Sequence, residues 1–255
     1  MESALEFLNK LFTLKDSALK APRWAKLLTH ESIEKVVSQL DEILGEAIKG
    51  NERAREALNP FLLTKIFSEF LSYEKKRDLY ESASQENLTL VKALLSDPLP
   101  RLKGPKIESI RIQDVRPEKT IGDPHKKRDP ITLGERRSLA KSKDLKILEK
   151  MLFDPDPKVL NNLLNNPTIL EKHIIKLASH RPIRGKILNT IGCHPRWGTN
   201  ARIRHTLILN PYTPPYLSVV SLITADKKVL REVNQDENLH PLLREVVRTI
   251  LAWKK

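Results

Sequence analysis

The sequence predicts an all-α protein with a helical N-terminal segment and a C-terminal α-solenoid. Three observations predict this class. Apolar residues recur with the 3.6-residue period of a helix through much of the 255-residue chain. Aromatic residues make up only 5% of the chain, which is little for the core of a β-sandwich. In the C-terminal half, short apolar stretches follow similar polar residues several times, as they do in stacked helical repeats.

The chain divides into three predicted regions. Residues 1–98 are predicted to form a helical N-terminal domain, residues 99–133 a basic, proline-rich linker or insertion, and residues 134–255 an α-helical repeat domain. In the middle region the apolar period lapses and five prolines stand among many Lys and Arg residues, which favours an extended linker. The alternative is one continuous solenoid that carries this region as an insertion, because Asn59-Pro60 and Asp97-Pro98 resemble the punctuation of the C-terminal half.

Two helix boundaries are marked clearly in the N-terminal region. An apolar stripe from Ile33 to Ala47 predicts a helix that ends at Lys49-Gly50, where a cation in the last turn precedes a residue that tolerates a left-handed cap. Asn59-Pro60 predicts the N-cap and the first residue of a further helix, since proline is favoured at that first position.

Three copies of one pattern follow in the C-terminal region. The copies begin at Asp156, Asn200 and Asp226, and each has a β-branched residue three positions later, an aliphatic residue four beyond that, and an Asn or Asp after three more. A second apolar helix follows each copy, and an offset fourth copy covers residues 184–195. Two short helices cannot bury their apolar stripes alone, so the copies are expected to stack.

Two segments of these copies resemble a known repeat. Asp154-Pro-Asp-Pro-Lys-Val159, continued by Asn166-Pro167-Thr168, and Asn210-Pro211-Tyr-Thr213-Pro214 in a later copy are similar to the leucine-rich repeat variant family and to HEAT-like α-solenoids. The resemblance covers about residues 154–252, implies stacked helices and brings no catalytic residue. Members of the variant family can hold an iron–sulfur cluster through clustered cysteines, but this chain has one cysteine, so no such cofactor is implied. HEAT-like folds serve as scaffolds, and some bind nucleic acid along a basic concave face.

The residue patterns favour no enzyme, no bound cofactor and no metal site. Glycine-rich phosphate loops, the nucleophile elbow and the zinc-protease motif are missing from the sequence. The metal-ligating residue types are densest over 33 residues but have no zinc-type pair spacing there. They are His173, His180, Cys193, His194 and His205.

Structural roles are predicted for these residues and for two neighbouring carboxylates. Cys193 is expected to be a small buried side chain. His194 stands before a proline, where other copies have Asn166 and Asn210, and is therefore predicted to cap a turn. Asp154 and Asp156 are predicted to be N-caps rather than an acid–base pair.

The positive charge is concentrated in the C-terminal part of the chain. The net charge is +13, yet residues 1–100 hold 14 basic and 16 acidic residues. Several cations surround Trp197 and are the candidate contacts for nucleic acid or another acidic partner. The candidate contacts are Arg181, Arg184, Lys186, Arg196, Trp197, Arg202 and Arg204. On one common face they would follow phosphates, with the indole as a stacking platform; the alternative is a set of separate solvated positions with Trp197 packed beneath them.

The first functional hypothesis is a non-enzymatic scaffold that binds a protein or peptide partner in a groove between helices. The alternative is a nucleic-acid-binding protein that uses a basic face of the solenoid and the linker, and an enzyme is a distant third. The N-terminus has no signal-peptide pattern, so a cytoplasmic location is expected. Residues 205–225 lack Asp, Glu, Lys and Arg, but Asn210-Pro211 and Pro214-Pro215 predict two short helices there rather than a membrane span.

Overall fold

The computed structural model describes residues 4–13, 17–63, 71–96 and 131–254. Within these ranges the chain forms fifteen α-helices and no β-strand, so the all-α prediction is confirmed. The helices are α1 Ala4–Thr13, α2 Ser17–His30, α3 Ile33–Lys49, α4 Glu52–Leu63, α5 Tyr73–Gln85, α6 Thr89–Leu95, α7 Leu133–Leu139, α8 Leu145–Met151, α9 Pro157–Asn165, α10 Glu171–Ser179, α11 Gly185–Gly192, α12 Ala201–Ile208, α13 Pro215–Ile223, α14 Lys227–Gln235 and α15 Pro241–Trp253.

One of the two N-terminal helix boundaries is confirmed and the other is wrong. Helix α3 ends at Gly50, whose φ of 104° is left-handed, as its position after the apolar stripe predicts. Asn59 and Pro60, however, lie inside α4. That helix starts earlier because the Asn51 side chain accepts a hydrogen bond from the backbone N–H of Ala54 at 3.3 Å.

The polar residues that open the three copies are helix N-caps. The side chain of Asp156 accepts hydrogen bonds from the backbone at the start of α9, Asn200 does so for α12, and Asp226 for α14. The second helix of each copy is α10, α13 or α15. Local cap chemistry is therefore enough to place these helix starts.

Two asparagines join successive turns of the C-terminal region in the same way. Nδ2 of Asn166 donates to Ala140 O at 3.0 Å, and Nδ2 of Asn210 donates to Ala178 O at 2.7 Å. Helices two positions apart in the chain also contact each other, namely α7 with α9, α9 with α11, α10 with α12, and α13 with α15. This contact pattern agrees with stacked helices, and the solenoid stays a prediction.

The connections between helices lie along two edges of the C-terminal region. We call one the Asn166 edge, where hydrogen bonds link the turns before α8, α10, α12 and α14. It comprises residues 140–146, 166–172, 193–202 and 224–228. The other is the Asn210 edge, where Arg136 contacts Asp154 and Asn210 contacts His180. It comprises residues 131–136, 152–158, 179–186, 209–214 and 235–241.

The N-terminal and C-terminal helices pack against one another. Helix α6 contacts α13 and α15, and α3 contacts α15. Leu95 from the N-terminal side and Val246 from the C-terminal side belong to one cluster of buried apolar residues. Most of the predicted linker lies outside the described residues, so the boundary at residues 99–133 stays a prediction.

The described helices include none that is both long and apolar enough to cross a bilayer. The uncharged stretch at residues 205–225 is broken after Ile208 and resumes as helix at Pro215, so the prediction of two short helices is confirmed.

Candidate functional site: a tryptophan groove and two groups of cations

The predicted basic cluster is split between the two edges. Arg181, Arg184 and Lys186 lie on the Asn210 edge, where α10 ends and α11 begins. Arg196 and Arg202 lie on the Asn166 edge, where α11 has ended and α12 begins. The eight residues of α11 separate the groups by about 12 Å of helix. The structure therefore does not bring the predicted cations together on one face.

Three of these arginines bind the protein itself. The guanidinium of Arg181 donates to Leu209 O, and that of Arg196 donates to Ile169 O at 3.3 Å. Nε of Arg204 donates to Gly198 O at 2.6 Å, and burial lowers the pKa of this guanidinium. Arg204 therefore holds the turn before α12 and is poorly placed to contact a ligand.

Trp197 packs inward, as the alternative interpretation of the cluster predicts, and cannot serve as a stacking platform. The residue is 3% exposed, and its indole N–H donates to Leu164 O at 2.8 Å. The guanidinium carbon of Arg196 lies 4.1 Å from the ring centroid. The indole is thus a packing residue of the protein interior.

The structure confirms some of the predicted structural roles and contradicts others. Nδ1 of His194 accepts a hydrogen bond from Arg196 N at 3.2 Å, so its capping role is confirmed. Asp156 is an N-cap, but Asp154 is not, because both of its oxygens accept from Arg136. Cys193 is half-buried rather than buried and contacts Asn189. Within the described residues no group of three or more His, Cys, Asp and Glu side chains could hold a metal ion.

A groove between α3 and the end of α15 has the features of a docking site. Its floor is Trp253 at the end of α15, which is 43% exposed although the other two tryptophans are buried. The ring lies so close to α3 that a methyl group added to Gly45 would be 2.9 Å from Cζ3. The side chains around the indole come from one face of α3 and from the turn between α5 and α6. They are Ser38, Asp41, Glu42, Glu46, Lys49, Glu86 and Leu88.

The groove carries an excess of carboxylates. Lys49 Nζ lies 3.0 Å from Glu46 Oε1 and 5.5 Å from the Trp253 centroid, so this cation is shared between a carboxylate and the ring. The hydrogen bonds from Lys49 and Asn51 lower the pKa of Glu46. Burial, and then the negative charge of Glu86, raise the pKa of Asp41. The carboxylate of Asp41 is therefore held in an unfavourable environment.

The sequence predicts the acidic face of this groove but not the position of Trp253 in it. The acidic face of α3 follows from helical spacing, since Asp41, Glu42, Gly45 and Glu46 recur at intervals of three and four. That Trp253 lies on this face depends on packing between residues more than 200 positions apart, which periodicity cannot show. No family model, no curated protein and no solved structure matches this chain.

Proposed function

We propose that this protein is a non-enzymatic helical-repeat scaffold, of the leucine-rich repeat variant or HEAT-like kind, that binds a basic segment of a protein partner in the Trp253 groove. The observation that carries the proposal is the half-exposed indole of Trp253 in a concavity with a surplus of carboxylates. Tryptophan is enriched among residues that dominate binding energy at interfaces, where it fills a central pocket.

The charge of the groove selects the partner. Asp41, Glu42 and Glu86 are not matched by cations of the groove, whose one lysine already contacts Glu46. A Lys or Arg side chain from a partner would lie over the ring face and beside these carboxylates, which combines a cation–π contact with ion pairing. An acidic partner would meet repulsion instead.

The experiment uses a twelve-residue peptide with alternating Arg and Leu, and the same peptide with each Arg replaced by its neutral isostere citrulline. Binding is followed by the fluorescence of Trp253 and its quenching by acrylamide, because Trp24 and Trp197 are 0% and 3% exposed. We expect the arginine peptide to protect the indole and the citrulline peptide to bind at least ten-fold more weakly.

Variants separate the groove from the rest of the surface. Trp253→Ala is expected to reduce the affinity, measured by isothermal titration calorimetry, at least ten-fold, since it removes the ring from the centre of the contact. Tyr73→Ala is the matched control, because Tyr73 is an aromatic residue 74% exposed on α5 outside the groove. Equal affinity of the two variants, or equal affinity of the two peptides, would overturn the proposal.

A further inference from the structure

The Asn166 edge carries a strong excess of positive charge. Its four segments contain three carboxylates and eight cations. The cations are Lys141, Lys143, Lys146, Lys172, Arg196, Arg202, Lys227 and Lys228, and all are exposed. The Asn210 edge, five segments of the same helices, contains five cations and five carboxylates. Of the two edges, only the Asn166 edge therefore carries a net positive charge.

The three carboxylates on the Asn166 edge are occupied by the protein. Asp144 accepts from Lys146 N at 2.9 Å and Asp226 from Val229 N at 2.8 Å, so each is a helix N-cap. Glu171 accepts from Asn200 Nδ2 at 3.0 Å and from Arg202. With eight cations and three carboxylates, the edge keeps an excess of five positive charges.

Four of the cations form a row across the packed helices. Lys146, Lys172 and Lys228 lie in the first turns of α8, α10 and α14, and their side chains have no hydrogen bond or ion pair to any described residue. Arg202 lies in the first turn of α12, and its side chain is 82% exposed beside Glu171. Helix α10 contacts α12, His173 of α10 lies 3.6 Å from Glu149 of α8, and His205 of α12 lies 2.9 Å from Glu232 of α14, so the four helices are neighbours in this order. Packed helices lie about 10 Å apart, which makes the row roughly 30 Å long.

We propose that the Asn166 edge binds the phosphate backbone of double-helical nucleic acid. A row of this length matches about nine base pairs at 3.4 Å each. Cations about 10 Å apart along it can contact phosphates about three base pairs apart without reading the bases. Single-stranded nucleic acid is bound by aromatic stacking as well as charge. Trp197, the aromatic residue of this edge, is buried, which favours the duplex.

This site is independent of the Trp253 groove. It differs from the groove in charge, and the row is formed by α8, α10, α12 and α14, whereas the groove is formed by α3, α15 and the turn between α5 and α6. Trp253→Ala is therefore expected to leave nucleic-acid binding unchanged, so that the two proposals can fail separately.

The experiment measures binding of the full chain to a fluorescent 20-base-pair DNA duplex by anisotropy at salt concentrations from 50 to 200 mM. Four or so phosphate contacts predict a slope of about −4 in log affinity against log salt, which is a loss of about 10²-fold over this range. Binding that does not change with salt would overturn the proposal.

Matched triple variants test the position of the site. Lys146→Gln, Lys172→Gln and Lys228→Gln together remove three cations from the row, and Lys158→Gln, Arg184→Gln and Lys186→Gln together remove three exposed cations from the Asn210 edge. We expect the first variant to lose at least ten-fold in affinity and about 3 from the salt slope. The second should stay within about two-fold of the parent chain. Equal losses would show that net charge, and not this edge, governs binding.

Two further probes test the identity of the ligand. The same measurement is made with a single strand of 20 nucleotides and with a poly-glutamate peptide of 20 residues. We expect both to bind at least ten-fold more weakly than the duplex. A single strand or an acidic peptide that binds as tightly as the duplex would overturn the proposal, the second by pointing to an acidic protein partner.

Discussion

Asn210 lies against the last turn of α10 and donates from Nδ2 to the carbonyl oxygen of Ala178 at 2.7 Å. The same amide donates to His180 O at 3.1 Å, and its oxygen accepts from Tyr212 N at 3.0 Å. The residue is 1% exposed, so one side chain satisfies three backbone groups at a place that water does not reach. Asn166 repeats the arrangement on the other edge of the C-terminal region.

We expect Asn210→Ala to lower the free energy of unfolding by about 2–3 kcal/mol, because it leaves these buried backbone groups without partners. Urea denaturation followed by circular dichroism measures the change. Asn161→Ala is the control, since Asn161 is an exposed residue of α9, and it should change stability by less than about 0.5 kcal/mol. A similar result for the two variants would contradict the role given to Asn210.

The sequence predicts several features of this fold that depend on neighbouring residues, although not the start of α4, and misses those that depend on distant residues. The N-cap at Asp156 and the stop at Gly50 follow from local chemistry, and the structure has both. The position of Trp197 could not be predicted, because whether an indole packs inward depends on α9, more than 30 residues away. The groove was missed for the same reason, since Trp253 meets Gly45 only after the two halves have packed.

The stability of the protein should fall in mild acid because of His194. Its Nδ1 accepts from Arg196 N and its Nε2 lies 3.3 Å from Asn165 Oδ1, so the neutral ring with the proton on Nε2 fits the site. Burial, and then the charge of Arg196, lower the pKa of His194 below its ordinary 6.5. The unfolded chain therefore binds the proton first, and stability is lost as the pH falls below about 6.5.

His194→Asn tests this directly, because asparagine fills the same position at 166 and 210 and does not titrate. We expect its urea midpoint to fall less than that of the parent chain between pH 7.5 and pH 5.5. Part of the dependence should remain, since burial also lowers the pKa of His240. Identical profiles for the variant and the parent chain would show that His194 does not cause the acid sensitivity.

Asp41 should make the folded protein less stable at neutral pH. Since its pKa is raised above 3.8 in the folded state, the native chain holds this proton more tightly than the unfolded chain. Its contribution to stability therefore declines as the pH rises from about 3.8 through the raised value. A carboxylate whose ionised form destabilises the folded chain fits a binding role in the groove.

We expect Asp41→Asn to raise the melting temperature at pH 7 and to leave it unchanged at pH 3, where the aspartic acid is neutral in both states. Glu56→Gln, a change of the same charge at an exposed position of α4, is the control. The interpretation fails if Asp41→Asn lowers the melting temperature at pH 7, or if the gain persists at pH 3. In the peptide assay the same variant should bind the arginine peptide more weakly, so stability and binding change in opposite directions.

Asp154 and Asp156 are two residues apart, yet Asp154 pairs with Arg136 whereas Asp156 caps a helix. Asp154 is fully buried, and its oxygens accept from Arg136 Nη1 at 2.9 and 2.8 Å and from Asp156 N at 2.8 Å. Asp156 is partly exposed and caps α9.

Asp154→Ala leaves a mostly buried guanidinium without its carboxylate, so we expect it to lower the free energy of unfolding by about 3 kcal/mol. Asp156→Ala removes one N-cap and is expected to lower it by about 1 kcal/mol. Urea denaturation of both variants gives the comparison, and a larger loss for Asp156→Ala would reverse these roles. The double variant with Arg136→Met is expected to recover part of the stability lost in Asp154→Ala, because the unpaired charge is then gone.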